Sequence, residues 1–149
     1  MIKHIPGHGR AGVDSHHDLP RVDTARDDLE RVDFEPFKHV ANSDVGRFAW
    51  GMMAHIIYTA LDADQPASIS KKIINGIVRD YMGFDGFLLA DDVSMKALDS
   101  YGTLSERCIA SLDAGCDAAL YCAGKFDEMA QIAENIIALD DNALRRLSI

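Results

Sequence analysis

Four of the six histidines of this chain fall within fourteen positions: His4, His8, His16 and His17, with Asp14 and Asp18 interleaved. Imidazole changes charge near neutral pH and is also a common metal ligand, so such a cluster has three readings. The first is a metal site, since His and Asp suit zinc or iron. Against it, the spacings fit neither H-E-x-x-H nor another rigid ligand pattern. The second is acid–base catalysis. An Asp two residues before a His can accept its ring N–H, orient the ring and raise its basicity, and Asp14-Ser15-His16 has that spacing. The third is a solvated loop with no chemistry. Gly7, Gly9 and Gly12 flank the segment. G-H-G-R-A-G is not a phosphate-binding loop, and the glycines read as flexible backbone that lets Asp14 and His16 move over a ligand.

A second group is the pair Asp91-Asp92, placed directly after the apolar run FDGFLLA. The plain reading is one capping and one solvated Asp. The catalytic reading is a carboxylate nucleophile or base, aimed by a rigid strand end. His55 would close the strand read over FAWGMMAHII, and Lys3, His4 and His8 would close Ile2–Ile5, the possible remnant of one more.

Short apolar runs alternate with helical patterns along the chain. Residues 1–24 read as a long loop. Asp33 is placed to cap a helix over FEPFKHVAN. Residues 48–57 read as a strand covered on both faces. Ser68 or Ser70 is placed to cap a helix whose stripe is Ile73, Ile74, Ile77, Val78 and Tyr81, ended by Gly83. Residues 84–90 read as a strand, 95–100 as a turn of helix, and 104–114 as a helix closed by Gly115. Cys116–Ala123 reads as a buried strand, 126–139 as a helix, and DNALRRLSI as a terminal helix. Such alternation implies parallel βα units, and the polar residues then collect at the C-terminal strand ends, where parallel α/β folds bind ligands. Either an open doubly wound sheet or a half-barrel fits the 149-residue length.

Composition narrows the function. The chain carries 15 basic and 24 acidic residues, net −9, which disfavours a nucleic-acid partner. No run approaches the ~20 apolar residues of a membrane span, and the N-terminus lacks an apolar leader core. Cys108, Cys116 and Cys122 match no zinc spacing and read as small buried hydrophobes in a reducing compartment, hence a cytoplasmic protein.

Read together, the motifs resemble a family. Lys3-His4-Ile5-Pro6-Gly7-His8-Gly9, Asp14-Ser15-His16 and Leu19-Pro20 resemble the signature of glycoside hydrolase family 3, in its bacterial β-N-acetylhexosaminidase branch. Met53-Ala54-His55, Pro66-Ala67-Ser68-Ile69-Ser70, Gly83-Phe84-Asp85-Gly86, Ala90-Asp91-Asp92-Val93-Ser94-Met95 and Ala114-Gly115-Cys116-Asp117 follow in the family's order. The resemblance implies an α/β fold of the (β/α)8 TIM-barrel type. Residues 1–149 would be one domain, the C-terminal half of the catalytic barrel, with its last four βα units and a truncated first strand.

The same resemblance implies site roles. Asp91 becomes the nucleophile and His16 the general acid/base, with Asp14 as its partner. Lys3 and His4 bind sugar hydroxyls, and His55 and Met53 line the pocket. It implies a retaining glycosidase that uses no cofactor or metal. Its substrate is a terminal β-linked N-acetylglucosamine, typically on peptidoglycan fragments recycled in the cytoplasm. The first four βα units of the family, with an Asp and Arg groups that also bind sugar, have no counterpart here. A half-barrel has two open sheet edges, so self-association or pairing with an N-terminal half is expected. The competing class is a non-catalytic module that keeps the motifs and binds only a sugar or a partner.

Overall fold

A computed structural model of the chain describes residues 1–147. Its centre is a four-stranded parallel sheet of β1 (Ile2–Ile5), β3 (Gly51–Met53), β5 (Leu88–Asp92) and β6 (Ala118–Leu120), in the order β1-β3-β5-β6. Between the first two lie β2 (Arg21–Val22) and, after β3, β4 (Ile57–Tyr58), which pair in parallel as a separate ribbon. In the main sheet each strand is added on the same side as the last. A doubly wound sheet would reverse direction partway, so the order is that of a partial barrel.

Helices α1 (Arg26–Asp28), α2 (Glu35–Ala41) and α3 (Leu104–Ala114) lie between strands, and α4 (Phe126–Asn135) and α5 (Asp141–Leu147) follow β6. A π-helical segment, Leu29–Asp33, joins the first two, and a longer one, Lys72–Tyr81, precedes β5. The longer one presents Ile73, Ile74, Ile77 and Val78 to the core, as its apolar stripe predicts. The Ser70 hydroxyl accepts the Ile73 N–H at 3.2 Å, and Gly83, at φ 72°, ends the helix. Helix α3 opens with a reciprocal capping box between Thr103 and Glu106. It closes at Gly115 (φ 116°), where an added Cβ would sit 3.0 Å from Ile74 Cγ2.

Several expected boundaries move. The apolar run 48–57 yields only Gly51–Met53 as strand in the main sheet. Gly46–Phe48 is a 3-10 turn, while Ala54, His55 and Ile56 leave the ladder but stay fully buried. Hydrophobicity reports burial, and residues 51–57 remain buried past the end of the strand, whereas Phe48 is 44% exposed. Gly51 is needed where it stands, because a Cβ there would lie 2.7 Å from Ile5 Cδ1 and 2.9 Å from Phe84 Cε1. Asp33 caps no helix; its carboxylate accepts Arg10 Nε–H at 2.7 Å. Helix α4 ends at Asn135, short of the expected 139, and of the apolar residues Met129, Ile132, Ala133, Ile136 and Ile137 only Ile132 is buried, with Ile137 78% exposed. Cys108 and Cys116 are buried, but Cys122 is exposed. Of the expected terminal helix, residues 141–147 are helical; Ser148 and Ile149 lie outside the described residues.

The N-terminal ends of β5 and β6 are tied by a charge network. Asp117, 5% exposed, accepts Arg79 Nη2 at 2.9 Å, Arg146 Nη1 at 2.8 Å and the Leu88 N–H at 2.8 Å. Arg79 also donates to the carbonyls of Phe84 and Gly86. Removing one member strands buried charge, so Asp117→Ala is expected to cost about 3–5 kcal/mol of stability. Urea unfolding would read this; a loss under about 1 kcal/mol would show that the network is no more than a surface ion pair.

Candidate active site

The opposite, C-terminal strand ends carry the residues singled out in the sequence. β5 brings Asp91 to the sheet rim with its side chain 15% exposed. One carboxylate oxygen, Oδ1, accepts the N–H of the next residue, Asp92, at 2.9 Å. The other, Oδ2, lies 3.5 Å from His4 Nε2. β1 and β5 both flank β3, so the strand order sets His4 and Asp91 on one rim. Burial lowers the His4 pKa; the Asp91 charge pulls the other way, and His8 and Lys3 add to the lowering. Asp91 thus faces a mostly neutral imidazole, which can donate a hydrogen bond to a carboxylate or a sugar hydroxyl.

The His16–Asp14 pair forms as the spacing predicts. Asp14 Oδ1 accepts both the His16 main-chain N–H at 2.9 Å and the ring Nδ1–H at 2.8 Å. Both side chains are exposed, His16 at 70%. The Asp14 hydrogen bond and charge raise the His16 pKa, and the charges of Asp91 and Asp92 add to it. Between the two residues Ser15 is buried, with its Oγ 3.4 Å from His8 Nε2, and the His8 and His4 rings are 5.3 Å apart. The loop is thus anchored by a buried serine that touches His8, whose ring lies beside that of His4. Gly7 is also held, because its carbonyl accepts the buried Tyr58 hydroxyl at 2.6 Å.

The remaining expected site residues are placed differently. Lys3 is exposed on β1. Met53 is fully buried in the main core. His55 is also fully buried, with Nδ1 2.6 Å from Ser68 Oγ and Nε2 3.0 Å from the Asp92 carbonyl oxygen. Next to Asp91, the Asp92 carboxylate is a hub. It accepts the Ser94 N–H at 3.0 Å, the Ser94 hydroxyl at 2.8 Å and the Cys122 N–H at 3.2 Å. The signal for the first of these was present, since Asp-x-Ser is a common local turn in which the carboxylate accepts an N–H two residues on. Among the described residues no three His, Cys, Asp or Glu side chains converge to hold a metal ion. No helix there is long and apolar enough to cross a membrane.

A partial parallel barrel gathers these groups on the strand-end rim where such folds bind ligands. The chain belongs to glycosyl hydrolase family 3: residues 1–147 match the model of that family's N-terminal domain. A beta-hexosaminidase of Shewanella frigidimarina is 38% identical over 120 residues, covering 80% of this chain and 34% of that protein. One of Alkalilimnicola ehrlichii is 41% identical over 120 residues, covering 80% and 33%. Among solved structures, a family 3 beta-N-acetylglucosaminidase from Paenibacillus superposes with TM-score 0.87 at 29% identity, covering 97% of this chain and 29% of that one. NagZ from Neisseria gonorrhoeae, solved with N-trifluoroacetyl-D-glucosamine, gives TM-score 0.81 at 32% identity, covering 97% and 40%. The chain spans about a third of the length of the curated relatives it matches.

Proposed function

We propose that this chain is the C-terminal half of a family 3 catalytic barrel and carries the reacting groups of a retaining β-N-acetylglucosaminidase. The observation that supports this most is the Asp91 carboxylate, held at a strand end through one oxygen and presenting the other beside His4. In this reading Asp91 Oδ2 attacks the anomeric carbon of a terminal β-linked N-acetylglucosamine. The bond to the leaving oxygen breaks, and the His16 imidazolium gives that oxygen a proton. A glycosyl–Asp91 ester results. Neutral His16 then takes a proton from water, the water oxygen attacks the same carbon, and Asp91 leaves as carboxylate. Two inversions give net retention. His4 and Lys3 hold sugar hydroxyls from the β1 side.

Relatives named beta-hexosaminidase support the sugar class. The finer assignment, peptidoglycan fragments recycled in the cytoplasm, follows the family resemblance. The edges β1 and β6 each have one neighbour in the sheet. An N-terminal half or a second copy would cover them. Those open edges also favour a second reading, a module that binds a sugar or a partner without turnover.

The deciding experiment is hydrolysis of p-nitrophenyl N-acetyl-β-glucosaminide by the purified chain, with Asp91→Ala as control. Release that vanishes in the variant supports the glycosidase. Saturable N-acetylglucosamine binding by a folded chain with no release supports the binding module.

Asp14 gives a pH signature. It raises the His16 pKa, and the imidazolium is the form that protonates the leaving group. Asp14→Asn lowers that pKa, so the alkaline limb of kcat/KM is expected to move to lower pH. The rate falls severalfold at pH 8 and changes little well below the limb. A profile that drops uniformly at every pH would remove Asp14 from this role.

A further inference from the structure

We propose that His55 is a positioning residue for Asp91, holding the Asp92 main chain whose own amide holds the nucleophile. The inference rests on the reading of Asp91 as nucleophile. His55 is fully buried, so its ring meets protein on all sides and has no face toward a substrate in the cleft. A carbonyl oxygen only accepts, so the contact of 3.0 Å to Asp92 O requires the hydrogen on Nε2. Burial lowers the His55 pKa and keeps the ring neutral, which leaves the Nδ1 lone pair to accept the Ser68 hydroxyl at 2.6 Å. Ser68 is equally buried, and its N–H donates to the Ala54 carbonyl at 3.1 Å. The ring is therefore fixed at both nitrogens, with one tautomer.

That ring reaches Asp91 through two consecutive hydrogen bonds. His55 Nε2–H holds the Asp92 carbonyl, and the Asp92 N–H holds Asp91 Oδ1 at 2.9 Å. On the other side, the Asp92 carboxylate is tied to the Ser94 turn and to the Cys122 N–H beyond the end of β6. The Asp92 residue is clamped from both sides, and this sets which way Oδ2 of Asp91 points. A buried histidine is also a costly way to fill a core. A leucine there would avoid desolvating an imidazole, so hydrophobic packing alone does not account for it.

The test compares His55→Leu, His55→Gln and Ser68→Ala in the full chain by two readouts. Backbone amide spectra and hydrogen exchange report the strand end without turnover. In His55→Leu the amides of Asp92, Val93 and Ser94 are expected to shift and exchange faster, while those of α4 stay unchanged. Gln carries both a donor and an acceptor and restores them. On p-nitrophenyl N-acetyl-β-glucosaminide, kcat falls about 100-fold in His55→Leu, the scale of a 1 Å misplacement, with KM unchanged, and largely recovers in His55→Gln. Unmoved amides in His55→Leu would overturn the proposal, as would a KM rise at constant kcat, the mark of a substrate contact. A Gln variant no better than Leu, with both simply less stable, would also overturn it. If His55→Leu does not fold, Ser68→Ala leaves the ring in place and must show the same local amide pattern; its absence is a refutation. A wild-type chain without turnover refutes the glycosidase reading, while the amide pattern still decides the role of His55.

Discussion

Asp91→Ala is expected to lower hydrolysis of p-nitrophenyl N-acetyl-β-glucosaminide by about 10⁴-fold or more, because in the proposed mechanism it removes the atom that forms the covalent intermediate. The effect should fall on kcat and leave folding intact. Asp91 sits at the rim, partly solvated, and its own contacts are the local Asp92 amide and His4. The vacated space also makes a chemical prediction. Azide can enter it and attack the anomeric carbon from the face that Asp91 used, as nitrophenolate departs. The product is then the α-glycosyl azide, inverted from the substrate, and the rate of nitrophenolate release rises with azide. Wild-type protein should give no such product. Loss of activity without azide rescue, together with a lowered unfolding midpoint, would reduce Asp91 to a structural residue.

His16→Ala is expected to cost about 10²–10⁴-fold on substrates with poor leaving groups, the usual range for a positioned general acid. On a dinitrophenyl glycoside, whose leaving oxygen needs no proton, the first step should be nearly unaffected. The second step still lacks its base, so glycosyl-enzyme should accumulate and release a burst of dinitrophenolate. Because His16 is 70% exposed on a loop, the substitution removes a proton donor and almost no packing. A loss equal across all leaving groups would mean that His16 does not protonate the leaving oxygen.

The rim was legible in the sequence because it depends on topology and short-range spacing. Parallel βα units send all their strand ends to one edge, which joins His4 to Asp91 across eighty-seven positions. The Asp14–His16 bond needs only a two-residue spacing in a loop. What stayed hidden depends on where hydrogen bonds go inside buried segments. The run through His55 is apolar on both sides of the point where the chain leaves the sheet, so hydrophobicity carries no mark of the exit. For the same reason His55 reads in sequence like any rim histidine. Only the fold shows Ser68 and the Asp92 carbonyl occupying both ring nitrogens. The bareness of α4 is hidden differently. Its apolar residues are present, but Met129 stays 50% exposed, and Ile137, beyond the helix end, 78%.

Whether Asp91 is the nucleophile of a retaining glycosidase is decided by trapping the intermediate. The chain is incubated with a slow 5-fluoro N-acetylglucosaminyl fluoride, quenched in acid, digested and mapped by mass spectrometry. The expected result is one fluorosugar esterified to the peptide carrying Asp91, absent in Asp91→Ala. A sugar on any other residue would remove Asp91 as the nucleophile, and turnover that yields the inverted product with no covalent adduct would exclude a retaining mechanism.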